Sequence, residues 1–472
     1  MENYSQSYSF FGELVNSKNS KFDVFVDIEY DRYDFTILNC KLACKETEAE
    51  QFHKFLEEDN GALTVSGRIS NEQTIFIEIA YWKRIKLNVV EVEVSQFTIG
   101  YSGIIPFVHG KYFVRIVLND VPAVYIDTVG EMSYLGSISS NRKQEDAISW
   151  ETELGVFFLA DYYDYEKAEI ANGKATFRIR RTKFYIEKEF NHSIETDILL
   201  KAIEDEIKDI LLILSFISRK WVNWYEIKVT IFSEGEDRIV YDLMRRRKSF
   251  SREKSIKTQL FHQGVLKVGL FHKLVVEYGK SLCKEMLRRI IIFLLASNER
   301  TSIEAKIQAA YSALETITTA CCKKIGINEV LEKDRLNIII DNIKRQLLET
   351  FDKNKWDKNK SFDELIAKLS ELRRRPFASR LIDVISLSKI EVIDMWHFPK
   401  EVVFDDKIRD IIKRRNKLIH SGEIVDINQL YRDLLRIQAI SERLLLFLLD
   451  CLDMDNLFIS SYGDLHSIYE LP

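Results

Sequence analysis

The stretch FDVFVDIEY, Phe22–Tyr30, alternates: Phe22, Val24, Val26, Ile28 and Tyr30 fall on one side, Asp23, Asp27 and Glu29 on the other. Successive side chains of an extended chain point to opposite faces, so this is a strand with one buried face and one wet face. The same period of two returns at Ile75/Ile77/Ile79/Tyr81, Val90/Val92/Val94, Tyr112/Val114/Ile116/Leu118 and Phe177/Ile179. Turn-forming residues such as Asp59-Asn60-Gly61 and Asn172-Gly173 lie between them. Strands at this spacing predict an antiparallel sandwich or barrel.

Further along, the period changes. A helical pattern runs from Glu195 to Ser218, and alternation resumes at Ile227/Val229/Ile231 and around Ile239-Val240-Tyr241. After His272 apolar residues recur at helical spacing, predicting helices over 273–296, 301–324, 328–350, 361–373, 377–388, 404–421 and 426–452. Capping boxes mark three starts: Thr301 with Glu304, Ser361 with Glu364, and Asp426 with Gln429. Pro376 and Pro399 fall between helices, and the charged stretch Asp352–Lys360 reads as a solvated loop. The expected fold class is therefore α+β and multidomain. Residues 1–190 form a β-rich domain, 191–271 a mixed α/β continuation, and 272–472 an all-α bundle.

Bulk composition narrows the function classes. The 472 residues suffice for two or three domains, and a net charge of −5 gives no global basicity, so any nucleic-acid binding must rest on a local patch. Six cysteines do not make a disulfide scaffold in so long a chain, and neither Cys40/Cys44 nor Cys321/Cys322 has zinc-like company. The opening MENYSQSYSFFGEL has no basic-then-apolar leader, and apolar runs such as 290–296 and 444–449 are too short to span a bilayer. A cytoplasmic protein with no membrane attachment is expected.

One helical segment carries chemistry. Over Phe404–Gly422, at about 100° per residue from Ile412, Phe404, Ile408, Ile411, Ile412, Leu418 and Ile419 occupy an arc from roughly 240° to 360°. Arg415 falls near 300°, in the middle of that apolar arc; Asn416 and His420, one turn apart, line its edge, and Arg414 and Lys417 fall on the wet side. Gly422 supplies the stop. An arginine keeps its charge and is rarely buried unpaired, so this one needs a partner: an intramolecular carboxylate, Glu315 being a candidate, or something outside the chain.

The run Arg415-Asn416-Lys417-Leu418-Ile419-His420 resembles the R-x4-6-H signature of the HEPN superfamily in its R-N-x-x-x-H form, late in an all-helical C-terminal region. The wider layout, a strand-rich half followed by such a domain, is similar to the ApeA-type anti-phage HEPN proteins. Within it, Tyr311-Ser312-Ala313-Leu314-Glu315 resembles that family's early helix. The resemblance implies a helical bundle that pairs as a homodimer or higher even oligomer, and a metal-independent endoribonuclease needing no cofactor. It also implies abortive-infection defence, with cleavage of cellular RNA, tRNA loops included. Because such a nuclease must be held off in an uninfected cell and residues 1–271 show no catalytic constellation, that half is expected to sense an infection-derived ligand such as a phage protein, the runner-up being that it holds the RNA. The alternative is a non-catalytic HEPN dimer scaffold with a β-rich ligand- or protein-binding module. Nucleotidyltransferase-paired HEPN toxins carry R-x4-H-x-Y; here the last position is Gly422, so control through that tyrosine is not implied.

The residue types suit RNA cleavage. Histidine exchanges protons near neutrality, and a guanidinium grips two phosphate oxygens. His420, Arg415 and Asn416 are the expected catalytic set, with Glu315 supporting and Lys413, Arg414 and Lys417 placed to track RNA. Arg373-Arg374-Arg375 and Arg245-Arg246-Arg247-Lys248 are further basic runs, although such runs usually form solvated faces. A rival metal nuclease could be drawn from Glu226-Ile227-Lys228 on a strand, but no convincing upstream Asp-bearing strand accompanies it, and no metal site is expected. His397, beside Trp396 and Phe398, reads as a packed loop residue.

Overall fold

The computed structural model describes residues 5–31, 38–57, 63–70, 73–105, 108–118, 148–152, 154–170, 173–234, 239–248, 268–281, 283–299, 301–327, 333–356, 360–369, 375–390, 404–421 and 426–451. The chain divides into two compact units: residues 1–256 with 263–272, and residues 257–262 with 273–472.

The first unit is built on one antiparallel sheet. Strands β1 (Ser5–Val15), β2 (Lys21–Asp31), β3 (Leu38–Ala43), β4 (Leu63–Arg68), β5 (Thr74–Lys86) and β6 (Val89–Gly100) follow the order β3-β2-β1-β4-β5-β6. A pairing of Cys40–Ala43 with Val89–Val92 closes them into a barrel. Closure removes the exposed edges that an open sheet would leave. The inward residues of the opening alternation, Val24, Val26 and Ile28, are buried with Leu42, Val65, Ile77 and Val90. Helix α1 (Ala49–Glu57) adds Phe52 and Phe55, whose rings lie 5.2 and 5.7 Å from Phe22.

Along the edge opposite β5, strand β6 serves two neighbours. Its first half closes the barrel, and Gln96–Gly100 instead pairs with β12 (Ile239–Arg247). Gly100 has a positive φ of 137°, and a Cβ there would collide with the Asp242 carbonyl, so this branch point needs glycine. The sheet continues through β11 (Trp224–Ser233), β7 (Gly110–Leu118), β10 (Gly173–Phe190), β9 (Gly155–Ile170) and β8 (Ile148–Thr152). Strands β11 and β12, from the segment predicted as a mixed α/β continuation of the N-terminal half, thus lie inside the sheet, between β6 and β7. Helix α2 (Thr196–Ser218) buries Leu200, Ile203, Ile207 and Ile210, and binds β12 through Glu204 and Arg245. Of the turn residues read from the sequence, Asp59, Asn60, Gly61 and Asn172 lie outside the described residues.

The second unit is helical: α3 (Val268–Lys280), which crosses the boundary, α4 (Lys284–Ala296), α5 (Ile303–Ile325), α6 (Lys333–Lys353), α7 (Lys360–Leu369), α8 (Phe377–Leu387), α9 (Phe404–Ser421) and α10 (Ile427–Leu448). Helix α5 is the hub. It packs on α4, α8 and α10, and α8 in turn packs on α9. Ala310, Ala313 and Ala320 on α5 are buried, small enough for neighbouring helices to approach closely. No helix among the described residues is long and apolar enough to cross a membrane.

Several expected boundaries are corrected. The single helix over 273–296 is two, broken where the Ser281 hydroxyl takes the Cys283 N–H at 3.1 Å and competes with the helical ladder. Ser302, not Thr301, caps α5, accepting the Ala305 N–H at 3.3 Å. Ser361 lies inside α7. Asp426 does cap α10, accepting the Asn428 N–H at 2.9 Å, while Gln429 turns to Asp433. The predicted loop 352–360 begins with the last turn of α6 and ends with the first residue of α7. Pro376 directly precedes α8, and Pro399 lies outside the described residues.

Candidate active site

Helix α9 buries Ile408, Ile411 and Leu418, with Arg415 half-buried. The buried arc is turned from the one expected. Ile419 is exposed and Ile412 only half-buried, whereas Arg414, assigned to the wet side, is half-buried. Asp433 of α10 explains the turn: its side chain is 5% exposed and binds Arg414 through Nε at 2.7 Å and Nη2 at 3.0 Å. A bidentate pair of this kind outweighs the burial of one isoleucine at the rim. Gln429 donates to the same carboxylate at 2.9 Å and Arg436 lies 3.6 Å away, so Asp433 is a buried anion held on several sides. Arg414 is therefore a structural cation. Phe404 and His420 are helical, their side chains outside the described residues, as is Gly422.

Arg415 is held differently. Its guanidinium carbon lies 3.9 Å over the Tyr311 ring, a cation–π stack, and Nη1 donates to Asn416 Oδ1 at 3.0 Å. No carboxylate among the described residues pairs with it, and its Nε is buried without a hydrogen-bond partner there. Tyr311 makes this possible because it is itself fixed. It is buried on α5, and the Phe377 ring of α8 lies 5.2 Å away. Asn416 is exposed; its carbonyl accepts from Arg415, and its amide meets no acceptor among the described residues. His420 lies on the last turn of α9, one turn beyond Asn416.

The expected Glu315–Arg415 pair does not form. Glu315 is exposed, and it and Arg415 each act on the hydroxyl of Tyr311, in opposite directions. Burial pushes the Tyr311 hydroxyl well above its usual pKa; Arg415 pulls it back down, and Glu315 adds to the rise. Lys413 and Lys417 are exposed beside the motif. Of the Arg373-Arg374-Arg375 run, the first two lie outside the described residues, and Arg375 pairs with Asp383.

The other basic run is spent inside its own unit. Arg245 pairs with Glu204 at 2.8 Å, and Arg247 lies 3.6 Å from the same carboxylate and 3.9 Å over the Trp224 ring. Arg246 is buried between Glu226 at 3.8 Å and the Tyr30 ring at 4.8 Å, and Lys248 reaches Glu93 at 2.6 Å. The same contacts dispose of Glu226-Ile227-Lys228. Glu226 is buried between Arg115 and Arg246, and Lys228 binds Asp242 at 2.6 Å. A carboxylate neutralised by two arginines is a poor metal ligand, and no cluster suited to a metal ion occurs among the described residues. The buried Cys321 thiol is pushed up to about 12 by burial, too high for a nucleophile near neutrality. His397 lies outside the described residues.

Two site residues had no role in the sequence reading. Asp433 sits among Leu430, Leu434 and Ile437, and an acid at helical spacing inside an apolar stripe was the available signal for Arg414's partner. Tyr311 was noticed only as part of a segment. Its function as a platform depends on which helix crosses it, which no local pattern reports. Comparison of the chain with protein-family models, curated proteins and solved structures gave no match.

Proposed function

We propose that α9 is the catalytic helix of a metal-independent endoribonuclease of the HEPN type. The observation that carries this reading is the contrast between two adjacent arginines. Arg414 is neutralised by Asp433, whereas Arg415 is fixed on an aromatic ring beside Asn416 with its charge uncompensated among the described residues. A preorganised, unneutralised guanidinium suits the charge that grows on phosphorus during cleavage. In the proposed reaction His420 takes the 2′-hydroxyl proton, the 2′-oxygen attacks phosphorus, and the P–O5′ bond breaks as a second histidine protonates the leaving oxygen. A symmetric homodimer would supply that second His420. Asn416 orients the phosphate through its amide.

The first unit is then the sensing half of an anti-phage device that cuts cellular RNA, single-stranded tRNA loops included. Neutralisation of the β12 basic run favours this over a role in holding RNA, because cations already paired release few counterions on binding. A non-catalytic dimer scaffold is the second reading, favoured by the way the Arg415–Tyr311 stack also packs α9 on α5. Purified protein incubated with structured RNA, with and without a chelator, separates them. The enzyme yields 2′,3′-cyclic phosphate and 5′-hydroxyl ends at a rate unaffected by chelation and lost in His420→Ala. A scaffold yields no products, and cleavage abolished by chelation and restored by magnesium refutes this mechanism.

A further inference from the structure

Tyr311, Glu315 and Thr319 recur every fourth residue on α5 and so share one face. Two arginines from different helices reach that face. Arg415 of α9 stacks on the Tyr311 ring. Arg380 of α8 donates through Nη1 to Thr319 Oγ1 at 3.4 Å, and its guanidinium lies 5.9 Å from the centroid of Phe377, the ring that packs on Tyr311. Both are half-buried, and in both the Nε is buried without a hydrogen-bond partner among the described residues.

Arg380 has had its nearest opportunity for neutralisation removed. Asp383, three residues along the same helix, is taken by Arg375. The Thr319 contact is long and neutral, and Thr319 itself donates to the Glu315 carbonyl at 2.9 Å. Arg380 and Arg415 both act on the Tyr311 hydroxyl in the direction that favours negative charge there, and Glu315 opposes them from an exposed position. Among the described residues, two cations against one exposed carboxylate leave the patch positive. Each guanidinium is only half-buried, so an arriving phosphate meets its outer nitrogens with charge-assisted bonds, while the buried Nε stays out of reach.

We infer that Arg380, together with Arg415 and Tyr311, forms an anion site for a second phosphodiester of single-stranded RNA, next to the one that is cut. This rests on the ribonuclease reading above for the identity of the anion. Arg415 takes the scissile phosphate and Arg380 its neighbour, which makes Arg380 a binding residue that sets the register of the strand and takes no part in proton transfer.

The test uses the full chain carrying His420→Ala, so that RNA stays intact, and a fluorescent single-stranded oligoribonucleotide titrated over a range of salt. Arg380→Gln is expected to weaken binding about tenfold and to reduce the slope of log K against log salt by about 0.7, one single-strand phosphate contact. Arg375→Gln, which removes a cation already held by Asp383, should leave the slope where it was. If Arg380→Gln fails to fold, Arg380→Lys keeps the stem and charge while losing the fork, and should hold the slope while weakening binding about threefold. An unchanged slope in folded Arg380→Gln, or full affinity in Arg380→Lys, overturns the site, even where melting temperature falls. A chain that never cleaves yet shows the slope change refutes the ribonuclease and keeps the anion site. Cleavage dependent on His420 with no slope change does the reverse.

Discussion

The two units each carry a short basic run, and the runs meet opposite fates. On β12, Arg245 and Arg247 share Glu204, Arg246 is enclosed by Glu226 and Tyr30, and Lys248 binds Glu93. On α9, Arg414 is paired with Asp433, while Arg415, one residue on, has an aromatic ring and an amide in place of a carboxylate. Geometry explains the difference. A strand sends alternate side chains to two faces, and here Arg245 and Arg247 meet Glu204 of α2 while Arg246 and Lys248 meet Glu226 and Glu93 of the strands on either side. A helix turns neighbouring residues by about 100°, so adjacent arginines face different elements, and among the described residues only Arg414 meets an acid. Counting cations in a sequence therefore says little about where positive charge is available.

The largest expected effect falls on the uncompensated end of the comparison. His420→Ala should lower the cleavage rate about a thousandfold without changing the melting temperature, the scale of a lost general acid–base group. Arg415→Ala should remove cleavage comparably while costing only about 1 kcal/mol of stability for the lost stack. Single-turnover assays beside thermal melts check both.

Arg414→Ala should invert that pattern. It leaves Asp433 buried with less compensation, so a destabilisation of about 3 kcal/mol is expected, with cleavage per folded molecule retained. Denaturant melts measure this directly, and loss of cleavage in a fully stable Arg414→Ala protein would erase the distinction between the two arginines.

A smaller effect sharpens the other side. Burial raises the Glu93 carboxyl, but the ammonium groups of Lys248 and Lys83 outweigh it and hold its pKa below the usual carboxylate range. A depressed folded-state pKa means the stabilisation is present above the ordinary carboxylate pKa and is lost as pH falls through the folded value. The stability gap between the parent and Glu93→Gln should thus be widest at neutral pH and narrow under acid, as melts at stepped pH would show. The smallest expected effect is none. Arg245→Gln with Arg247→Gln should leave RNA affinity and its salt slope unchanged, and a shallower slope would return the β12 run to the RNA-binding surface.

Much of the architecture was legible because it rests on local periodicity. The alternation at Phe22–Tyr30 is β2, the Glu195–Ser218 pattern is α2, and the apolar spacing over 404–421 is α9. Strand β1, SQSYSFFGELV, was missed because its polar residues and exposed Phe11 blur the alternation, and α1 because nine residues carry too few turns for a clear stripe. The break at Ser281 turns on one side-chain hydrogen bond that composition does not announce.

What the sequence determined by itself was the succession of periods and the neighbourhood of Arg415, Asn416 and His420 along one helix, since both follow from residue spacing alone. Which arginine is paired with a carboxylate among the described residues was decided only by the tertiary structure. A wheel drawn for α9 ranks residues by apolarity, and it set Arg414 on the wet side. The real arc turned toward Arg414, because Asp433 arrives from α10, 19 residues further along the chain. Closure of the barrel through β3 and β6, and the meeting of Arg415 and Arg380 around Tyr311, are likewise long-range events. Neither has a local signature, because a pairing between distant segments is fixed by what the rest of the fold brings opposite, and a spacing pattern cannot encode that partner.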